Sequence, residues 1–308
     1  MSRILTIMRD AALALDVGAT KVAVGAVLRD GTVLSRVEVA SSNTSRQDLN
    51  DSLTTAINQV LETPDIALVG AGIGSAGPID HFKGTISPVN IAQWADFSLV
   101  DFVQDVSGIE KVRIVGDASA LAFAEFSIGA GIGSTNLLGI VVSTGIGGGT
   151  VVGGRLHSGQ YGNAGFIGHS IVVIDGDLCA CGARGCIEAY CSGTNMAKNF
   201  GVATFEEVAS AARNADARAK DVIDQGARFL AIGLVNAVAL LDLDTIVIGG
   251  GVMSADDIYW PVLQSHFENE VKKLKFPGKV ALKRATLGKD SGLVGAGLVG
   301  FTLREGQG

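Results

Sequence analysis

The fold assignment depends on the stretch Ala11-Ala-Leu-Ala-Leu-Asp16-Val-Gly18-Ala-Thr20-Lys21-Val-Ala-Val-Gly-Ala-Val-Leu28. Its two aliphatic runs, Ala11–Val17 and Lys21–Leu28, predict strands, and the residues between them predict a tight turn. In such a turn, main-chain N–H groups can face phosphate oxygens, Thr20 can add a hydroxyl and Asp16 can hold a hydrated Mg²⁺. A plain hairpin turn with an aspartate by chance fits the same residues.

Similar units of strand, glycine-rich turn and strand occur in both halves of the chain. In the first half, helices are predicted over Ser45–Glu62 and Asp117–Glu125 and strands over Ala67–Ile73 and Val112–Val115. In the second half, the pattern predicts a strand over Asn136–Val142, a turn over Ser143–Gly149, a returning strand from Thr150, a helix over Gly226–Leu241 and a strand over Thr245–Ile248. This recurrence predicts duplicated α/β domains facing a cleft, over residues 1–117 and 118–308, with a helix at about 290–305 packing back on the first.

The composition favours a compact globular protein. With 308 residues the chain can form two cores, and 47% hydrophobic against 18% charged residues argues against disorder. A net charge of −7 argues against a nucleic-acid partner, because phosphate neutralisation needs clustered Lys and Arg. Neither a signal peptide nor an apolar run of about 18 residues is evident. We therefore expect a cytoplasmic protein with reduced thiols and no membrane partner.

Three of the four cysteines lie in Cys179-Ala-Cys181-Gly-Ala-Arg-Gly-Cys186-Ile-Glu188, ten residues after His169. Three thiolates and one imidazole can close a tetrahedral zinc site and leave no open position, which favours structural zinc. Disulfides and free buried thiols are the alternatives for the cysteines, and a core histidine is the alternative for His169. The fourth cysteine, Cys191, is expected to be a packed free thiol.

A second glycine-rich turn, Ser143-Thr144-Gly145-Ile-Gly147-Gly148-Gly149, repeats the chemistry of the first. With Gly249-Gly250-Gly251 after a further strand, it predicts a phosphate- and nucleotide-binding cleft. No Gly-x-Gly-x-x-Gly opens a helix in a βαβ unit, and no Gly-Lys-Ser/Thr follows the glycines. Rossmann and P-loop nucleotide sites are therefore not predicted.

Taken together and in order, these motifs resemble the sugar kinases of the ROK family (repressor, open reading frame, kinase) in the actin-like ATPase superfamily. The matching elements are Asp16-x-Gly-x-Thr20-Lys21, Gly74-x-x-Gly77-Pro-Ile-Asp80, Asp117 with an Ala-rich helix, Thr144-Gly-Ile-Gly-Gly-Gly149, Gly168-His169, the cysteine motif and Gly249–Gly251. The resemblance runs from residue 12 to the C-terminus. It implies an α/β fold of two actin-like (ribonuclease H-like) ATPase domains around a central cleft, with a small zinc-binding motif.

The resemblance also implies roles for individual residues. Asp117 would be the general base that takes the proton of a sugar 6-hydroxyl as its oxygen attacks the γ-phosphorus of ATP; helix capping is its structural alternative. The implied substrate-binding residues are Gly77, Asn90, Asp117, Phe166, His169 and Glu188. The implied residues for ATP and Mg²⁺ are Asp16, Gly18, Thr20, Lys21, Thr144, Gly145, Gly147, Gly249, Gly250 and Gly251. The implied ligands of Zn²⁺ are His169, Cys179, Cys181 and Cys186. For Glu188, a salt-bridged surface glutamate is the alternative.

Two positions depart from the family pattern. Gly116 stands where the family usually has Asn before the catalytic Asp, and Phe166 stands where it usually has a sugar-contacting Glu. An aromatic ring can pack on the apolar face of a sugar or on an N-acyl methyl group, or it can block the pocket. We expect an active hexose or N-acylhexosamine kinase, with a catalytically impaired sugar-binding or regulatory protein as the alternative.

Family resemblance further suggests a homodimer or homotetramer. A ROK repressor is not expected, because only fifteen residues precede Asp16, too few for a DNA-binding domain. Polyphosphate in place of ATP stays open as the phosphoryl donor.

Overall fold

The computed structural model describes residues 8–18, 20–42, 44–88 and 91–302. The strands are β1 (Arg9–Val17), β2 (Lys21–Leu28), β3 (Val33–Ala40), β4 (Ile66–Ser75), β5 (Ile79–Asp80), β6 (Thr85–Ile86), β7 (Phe97–Ser98), β8 (Val112–Gly116), β9 (Leu137–Val142), β10 (Ile146–Val152), β11 (Arg155–His157), β12 (Thr245–Gly249) and β13 (Ala281–Arg284). The α-helices are α1 (Arg46–Leu61), α2 (Leu99–Ser107), α3 (Asp117–Ile128), α4 (Ile187–Cys191), α5 (Gly193–Phe200), α6 (Phe205–Arg213), α7 (Ala217–Leu241), α8 (Asp256–Val271) and α9 (Ser291–Thr302).

The chain divides into two compact units. Within the described residues, the first unit extends to Gly129 and also contains 158–164 and the chain from Leu287 onward; the second contains 130–157 and 165–286. The first of these divisions falls after Gly129, twelve residues beyond the predicted boundary at residue 117. Helix α3 belongs to the first unit because it packs on β4, β8 and α9 of that unit.

The first unit is built on a five-stranded sheet in the order β3-β2-β1-β4-β8. Strands β1, β4 and β8 run parallel, and β2 and β3 are antiparallel to their neighbours. Successive side chains of a strand point to opposite faces, and both faces of β1 are covered. Leu13 and Leu15 pack in one core with α1, whereas Ala14 packs with Leu293 and Ala296 of α9 on the other face.

The second unit has a sheet with the same order and the same relative directions. Its strands are arranged β11-β10-β9-β12-β13, with β9, β12 and β13 parallel and β10 and β11 antiparallel. Helices α4, α6 and α8 pack against the long helix α7.

Helix α7 meets the length and composition that a membrane-spanning helix requires. Just over half of its most apolar 18-residue window, 56%, is buried inside the structure. Its buried residues include Ile223, Leu230 and Leu234, which belong to the core of the second unit. These contacts are those of the core helix of a globular domain.

Strand β10 begins at Ile146, four residues earlier than predicted, so the turn after β9 is confined to Ser143–Gly145. Gly147, Gly148 and Gly149 pair with β9 as part of the strand. Gly148 is needed for close packing, because a Cβ atom built on it would collide with the main-chain oxygen of Gly165. The glycine run thus serves close backbone packing as well as the turn.

Helix α9 approaches the first sheet so closely that β4 has no room for a side chain at Gly72, where a Cβ atom would collide with the main chain of Ala296 and Gly300. Gly72→Ala is expected to lower the free energy of unfolding by about 2–4 kcal/mol, because the obstacle is backbone that cannot rotate away. Gly278→Ala is the matched control, since nothing lies within 4 Å of its added Cβ. Denaturant unfolding of both variants measures the difference; equal midpoints would contradict the packing argument.

Candidate functional site

The parallel strands of the first unit end at one edge of its sheet, where the predicted general base Asp117 and the predicted Mg²⁺-binding Asp16 lie. The register pairs Asp16 of β1 with Gly74 of β4, and Ser75 of β4 with Gly116 at the end of β8. Asp117 follows Gly116 and opens α3. In open α/β sheets, ligands bind beyond the carboxyl ends of the strands. This edge is therefore the candidate site of the first unit.

Asp16 lies against the N-terminus of α9. A Cβ atom on Gly292 would stand 2.6 Å from Asp16 Oδ2, so a side chain at this position would displace the carboxylate from where it now lies. Burial, followed by the negative charge of Asp117, raises the pKa of the Asp16 carboxyl to about 6, against the opposing charges of Arg36 and Lys21. A carboxylate held at a raised pKa beside a second carboxylate favours a bound cation. Asp16 and Asp117 thus provide the donor type that Mg²⁺ prefers.

Asp117 occupies the first residue of α3, and the helix-capping position before it is Gly116. Its Oδ1 accepts the N–H of Ala118 at 2.7 Å, so the helix start orients the carboxylate. The side chain is solvent-accessible, yet the surrounding protein removes enough water to raise its pKa above the ordinary value. A carboxyl group with a raised pKa is a stronger proton acceptor once ionised, as a general base requires.

The turn between β1 and β2 is tight, and Lys21 at its end forms an ion pair. The N–H of Gly18 donates to Lys21 O at 3.0 Å, and Thr20 is exposed. Lys21 Nζ pairs with Glu38 at 2.7 Å, and both side chains are exposed. Gly77 follows β4 and precedes Pro78 through a cis peptide bond. The predicted sugar ligand Asn90 lies outside the described residues.

In the second unit, the turn Ser143–Gly145 is anchored at both ends by the chain that follows the cysteine motif. Gly193 N–H donates to Ser143 O at 2.8 Å, and Ile146 N–H donates to Glu188 Oε2 at 2.7 Å. Glu188 therefore has a main-chain partner, which differs from the salt-bridged surface residue considered above. The sequence did not predict the roles of Gly193 and Ile146, because both act through their main-chain N–H groups, which nearly every residue type has.

A cavity of about 280 Å³ opens beside this turn. Its lining comes from the turn, from the start of α5, from the start of α6 and from the chain after β12, and includes Thr144, Thr194, Phe205, Glu206, Gly251 and Ser254. Gly250 has φ +98° and passes close to the main chain of Val142, which orients the following residues toward the cavity. Of the predicted nucleotide residues, Thr144 and Gly251 line the cavity, whereas Gly147 lies within β10 and Gly249 ends β12.

The predicted metal ligands converge in the second unit. The ligand atoms of His169, Cys179, Cys181 and Cys186 all lie within 4.8 Å of one another. Cys179 Sγ is 3.7 Å from His169 Nδ1, and Cys181 Sγ is 3.7 Å from Cys186 Sγ. Ligand atoms about 2.3 Å from a tetrahedral zinc ion stand about 3.8 Å apart, so the donor set and its spacing fit zinc.

Glycines shape the loop that carries the thiols. Gly182 and Gly185 have φ of +92° and +79°, the left-handed region that the reversal requires. The four cysteines are free thiols, which differs from the disulfide alternative. Cys191 does not belong to the cluster. It is fully buried, and burial raises the pKa of its thiol. It is therefore a packed core residue, as expected.

Phe166 lies beside the four predicted metal ligands. Its ring centroid is 6.3 Å from that of His169 in an edge-on arrangement, and 46% of its surface is exposed. Phe166 precedes the 3-10 turn Ile167–His169, which places the imidazole. With Nδ1 of His169 directed to Cys179, the second ring nitrogen remains for another partner.

Comparisons with known proteins agree on one family. The model of the ROK family matches residues 12–300. The N-acetylmannosamine kinase of Yersinia pestis is 34% identical over 294 residues, covering 93% of this chain and 97% of that protein. The glucokinase of Halalkalibacterium halodurans is 33% identical over 311 residues, covering 92% of each chain.

Solved structures give the same result. The ROK hexokinase from Thermus thermophilus superposes with a TM-score of 0.88 at 32% identity, covering 96% of this chain and 99% of that one. A ROK family glucokinase from Streptomyces griseus, in complex with glucose and AMPPNP, superposes with a TM-score of 0.77 at 28% identity, covering 95% and 99%.

Metal analysis tests the cysteine cluster. Purified protein is expected to contain about one zinc per chain, because four ligands converge on one point. Cys181→Ser should lose most of this zinc, whereas Cys191→Ala should retain it, since Cys191 is not in the cluster. Mass spectrometry of metal content measures both variants. Zinc-free wild-type protein after chelator-free purification would contradict the assignment.

The raised pKa of Asp16 predicts that its ionisation lowers the free energy of unfolding in a pH-dependent way. Its carboxyl titrates near 6 when folded and near 3.8 when unfolded, so ionisation destabilises the fold progressively as pH rises from about 4 to above 6. Asp16→Asn removes this charge and is expected to raise the free energy of unfolding at pH 7.5 by at most about 3 kcal/mol, and by much less at pH 4. Thermal unfolding at both pH values measures the difference. An equal gain at both would contradict the raised pKa.

Proposed function

This chain belongs to the ROK family and is a sugar phosphotransferase, and we propose that it transfers the γ-phosphoryl group of ATP to the 6-hydroxyl of a hexose or N-acylhexosamine, with Asp117 as general base. The observation that carries this proposal is the position of Asp117. It stands at the carboxyl edge of the first sheet with a raised pKa, beside Asp16.

In the proposed reaction, the ionised Asp117 accepts the proton of the sugar hydroxyl as the sugar oxygen forms its bond to the γ-phosphorus. The bond between the γ-phosphorus and the oxygen that bridges the β- and γ-phosphates breaks, and ADP leaves. The exposed hydroxyl of Thr144 and the main-chain N–H groups of its turn would stabilise the transferred phosphoryl group. Asp16 would hold Mg²⁺, which when bound neutralises charge on the phosphate oxygens.

Zinc has a structural role in this proposal. His169, Cys179, Cys181 and Cys186 would hold it, and no ligand position is left open for substrate. The second nitrogen of His169 and the carboxylate of Glu188 would then contact the sugar, together with Gly77 and Asn90. Similarity of the chain to sugar kinases along almost its whole length supports this assignment.

Phe166 and Gly116 bear on the choice of sugar. Relatives at similar identity are named N-acetylmannosamine kinase and glucokinase, so both plain and N-acylated hexoses are candidates. An exposed phenyl ring beside His169 favours packing on an apolar sugar face or an N-acyl methyl over hydrogen bonding to a hydroxyl. The same replacements motivate the second candidate, a catalytically impaired sugar-binding protein.

Three wider features belong to the same proposal. The identical strand order of the two sheets supports duplicated actin-like domains. Dependence on ATP and on reduced zinc-binding thiolates supports a cytoplasmic location. Family membership supports a homodimer or homotetramer.

An ADP-release assay with glucose, mannose, fructose, N-acetylglucosamine and N-acetylmannosamine tests the activity. At least one sugar is expected to stimulate ADP formation by zinc-loaded protein. Asp117→Asn should lower kcat by about 10²–10⁴-fold with sugar binding largely kept, since the amide cannot take a proton. Asp105→Asn, on the exposed surface of α2, is the matched control.

Each outcome has a separate meaning. If no sugar stimulates wild-type protein, the kinase proposal fails and the sugar-binding candidate replaces it. If Asp117→Asn retains turnover, the base is another group.

A further inference from the structure

The short segment after the last cysteine ligand contacts both ends of the turn Ser143–Gly145. Cys186 is the residue before α4, and Glu188 lies in the first turn of that helix. Glu188 Oε2 accepts Ile146 N–H at 2.7 Å, and Gly193 N–H donates to Ser143 O at 2.8 Å. One rigid segment thus sets the position of the turn that carries Thr144.

The contact at Glu188 leaves little free space. A Cβ atom on Gly145 would lie 2.7 Å from Glu188 Oε2, so the carboxylate rests directly on the turn. Asn195 Nδ2 donates to the main-chain oxygen of Glu188 at 2.9 Å and to Ser192 Oγ at 2.8 Å. Ser192 is fully buried, so these hydrogen bonds are shielded from solvent.

The same segment is continuous with the metal cluster. Glu188 Oε1 lies 4.0 Å from Cys179 Sγ, and Cys186 is only two residues before Glu188. Ile187 N–H donates to Ser170 O, next to His169. Fixing the thiols and the imidazole around one ion would therefore fix the start of α4, and with it the Glu188 carboxylate.

We propose that Glu188 is a positioning residue for the turn Ser143–Gly145, and that zinc in the cysteine cluster holds Glu188 in place, so that metal loading controls the affinity of the nucleotide site. This inference rests on the proposed function, because it takes the turn as the binding site for the phosphates of the donor. It goes beyond the sugar contact expected of Glu188, since it predicts an effect on nucleotide binding when no sugar is present.

The hydrogen bond, not the charge, carries the positioning role. Glu188→Gln keeps an oxygen that can accept Ile146 N–H, whereas Glu188→Ala removes it. Without sugar, Glu188→Ala is expected to weaken binding of AMPPNP with Mg²⁺ by about 5- to 30-fold, in line with the loss of one hydrogen bond to a charged group. Glu188→Gln should stay within about threefold of wild type. Glu268→Ala, on the exposed face of α8, is the control.

Metal removal provides the second arm. Chelated wild-type protein that remains folded by circular dichroism should bind AMPPNP about as weakly as Glu188→Ala, and chelation should weaken Glu188→Ala little further, because both changes release the same turn. Amide hydrogen exchange at Ile146 should accelerate in both cases. This readout does not depend on activity.

If the metal-free protein unfolds, a double-mutant cycle tests whether Glu188 positions the turn. Gly145→Ala should weaken AMPPNP binding in wild-type protein by pressing on Glu188, and its effect should shrink in the Glu188→Ala background. Equal AMPPNP affinity of wild type and Glu188→Ala, or unchanged exchange at Ile146, would overturn the proposal. A wild-type protein that binds AMPPNP but phosphorylates no sugar would instead refute the proposed function.

Discussion

The close approach of helix α9 to the first sheet is the constraint on which the first unit depends. Four of its twelve residues are glycines, each costing about 1 kcal/mol of helix propensity relative to alanine. Packing compensates for this cost: Gly300 would bring a Cβ atom within 3.0 Å of the main chain of β4, and Gly292 leaves room for the Asp16 carboxylate. A side chain at Gly300 would press the helix against the main chain of β4, and one at Gly292 would displace the Asp16 carboxylate.

The two units share a strand order but offer different chemistry at their sites. The first presents two carboxylates, whose pKa values are raised by desolvation and, for Asp16, also by the neighbouring charge of Asp117. The second presents neutral main-chain N–H groups, hydroxyls and a cavity. In the proposed function, the carboxylates for proton and cation chemistry come from the first unit, and the turn that carries Thr144 comes from the second. A single topology supports both because function is carried by the loops at the strand ends.

The sequence predicted the helices and strands that have strong hydrophobic periodicity or clear start and stop residues. The bounds of β2 and the start of α3 agree with the structure, and the four metal ligands meet as their spacing indicated. Contacts between residues far apart in the sequence could not be predicted. Gly292 is 276 residues from Asp16, and neither residue type indicates that the two lie together. For the same reason, β10 was predicted to start too late, because glycines that allow close packing look the same as glycines that form a turn.

The order of the elements along the chain has a consequence for biosynthesis. Helix α9 belongs to the first unit but follows the whole second unit in the sequence. A ribosome therefore completes residues 165–286 before it releases the helix that covers β1 and β4. Until then, the alanine- and glycine-lined face of the first sheet is left without its helix, whereas the second unit already has all its parts. Nascent chains of this protein should thus mature from the second unit toward the first, the reverse of the usual N-terminal-first order.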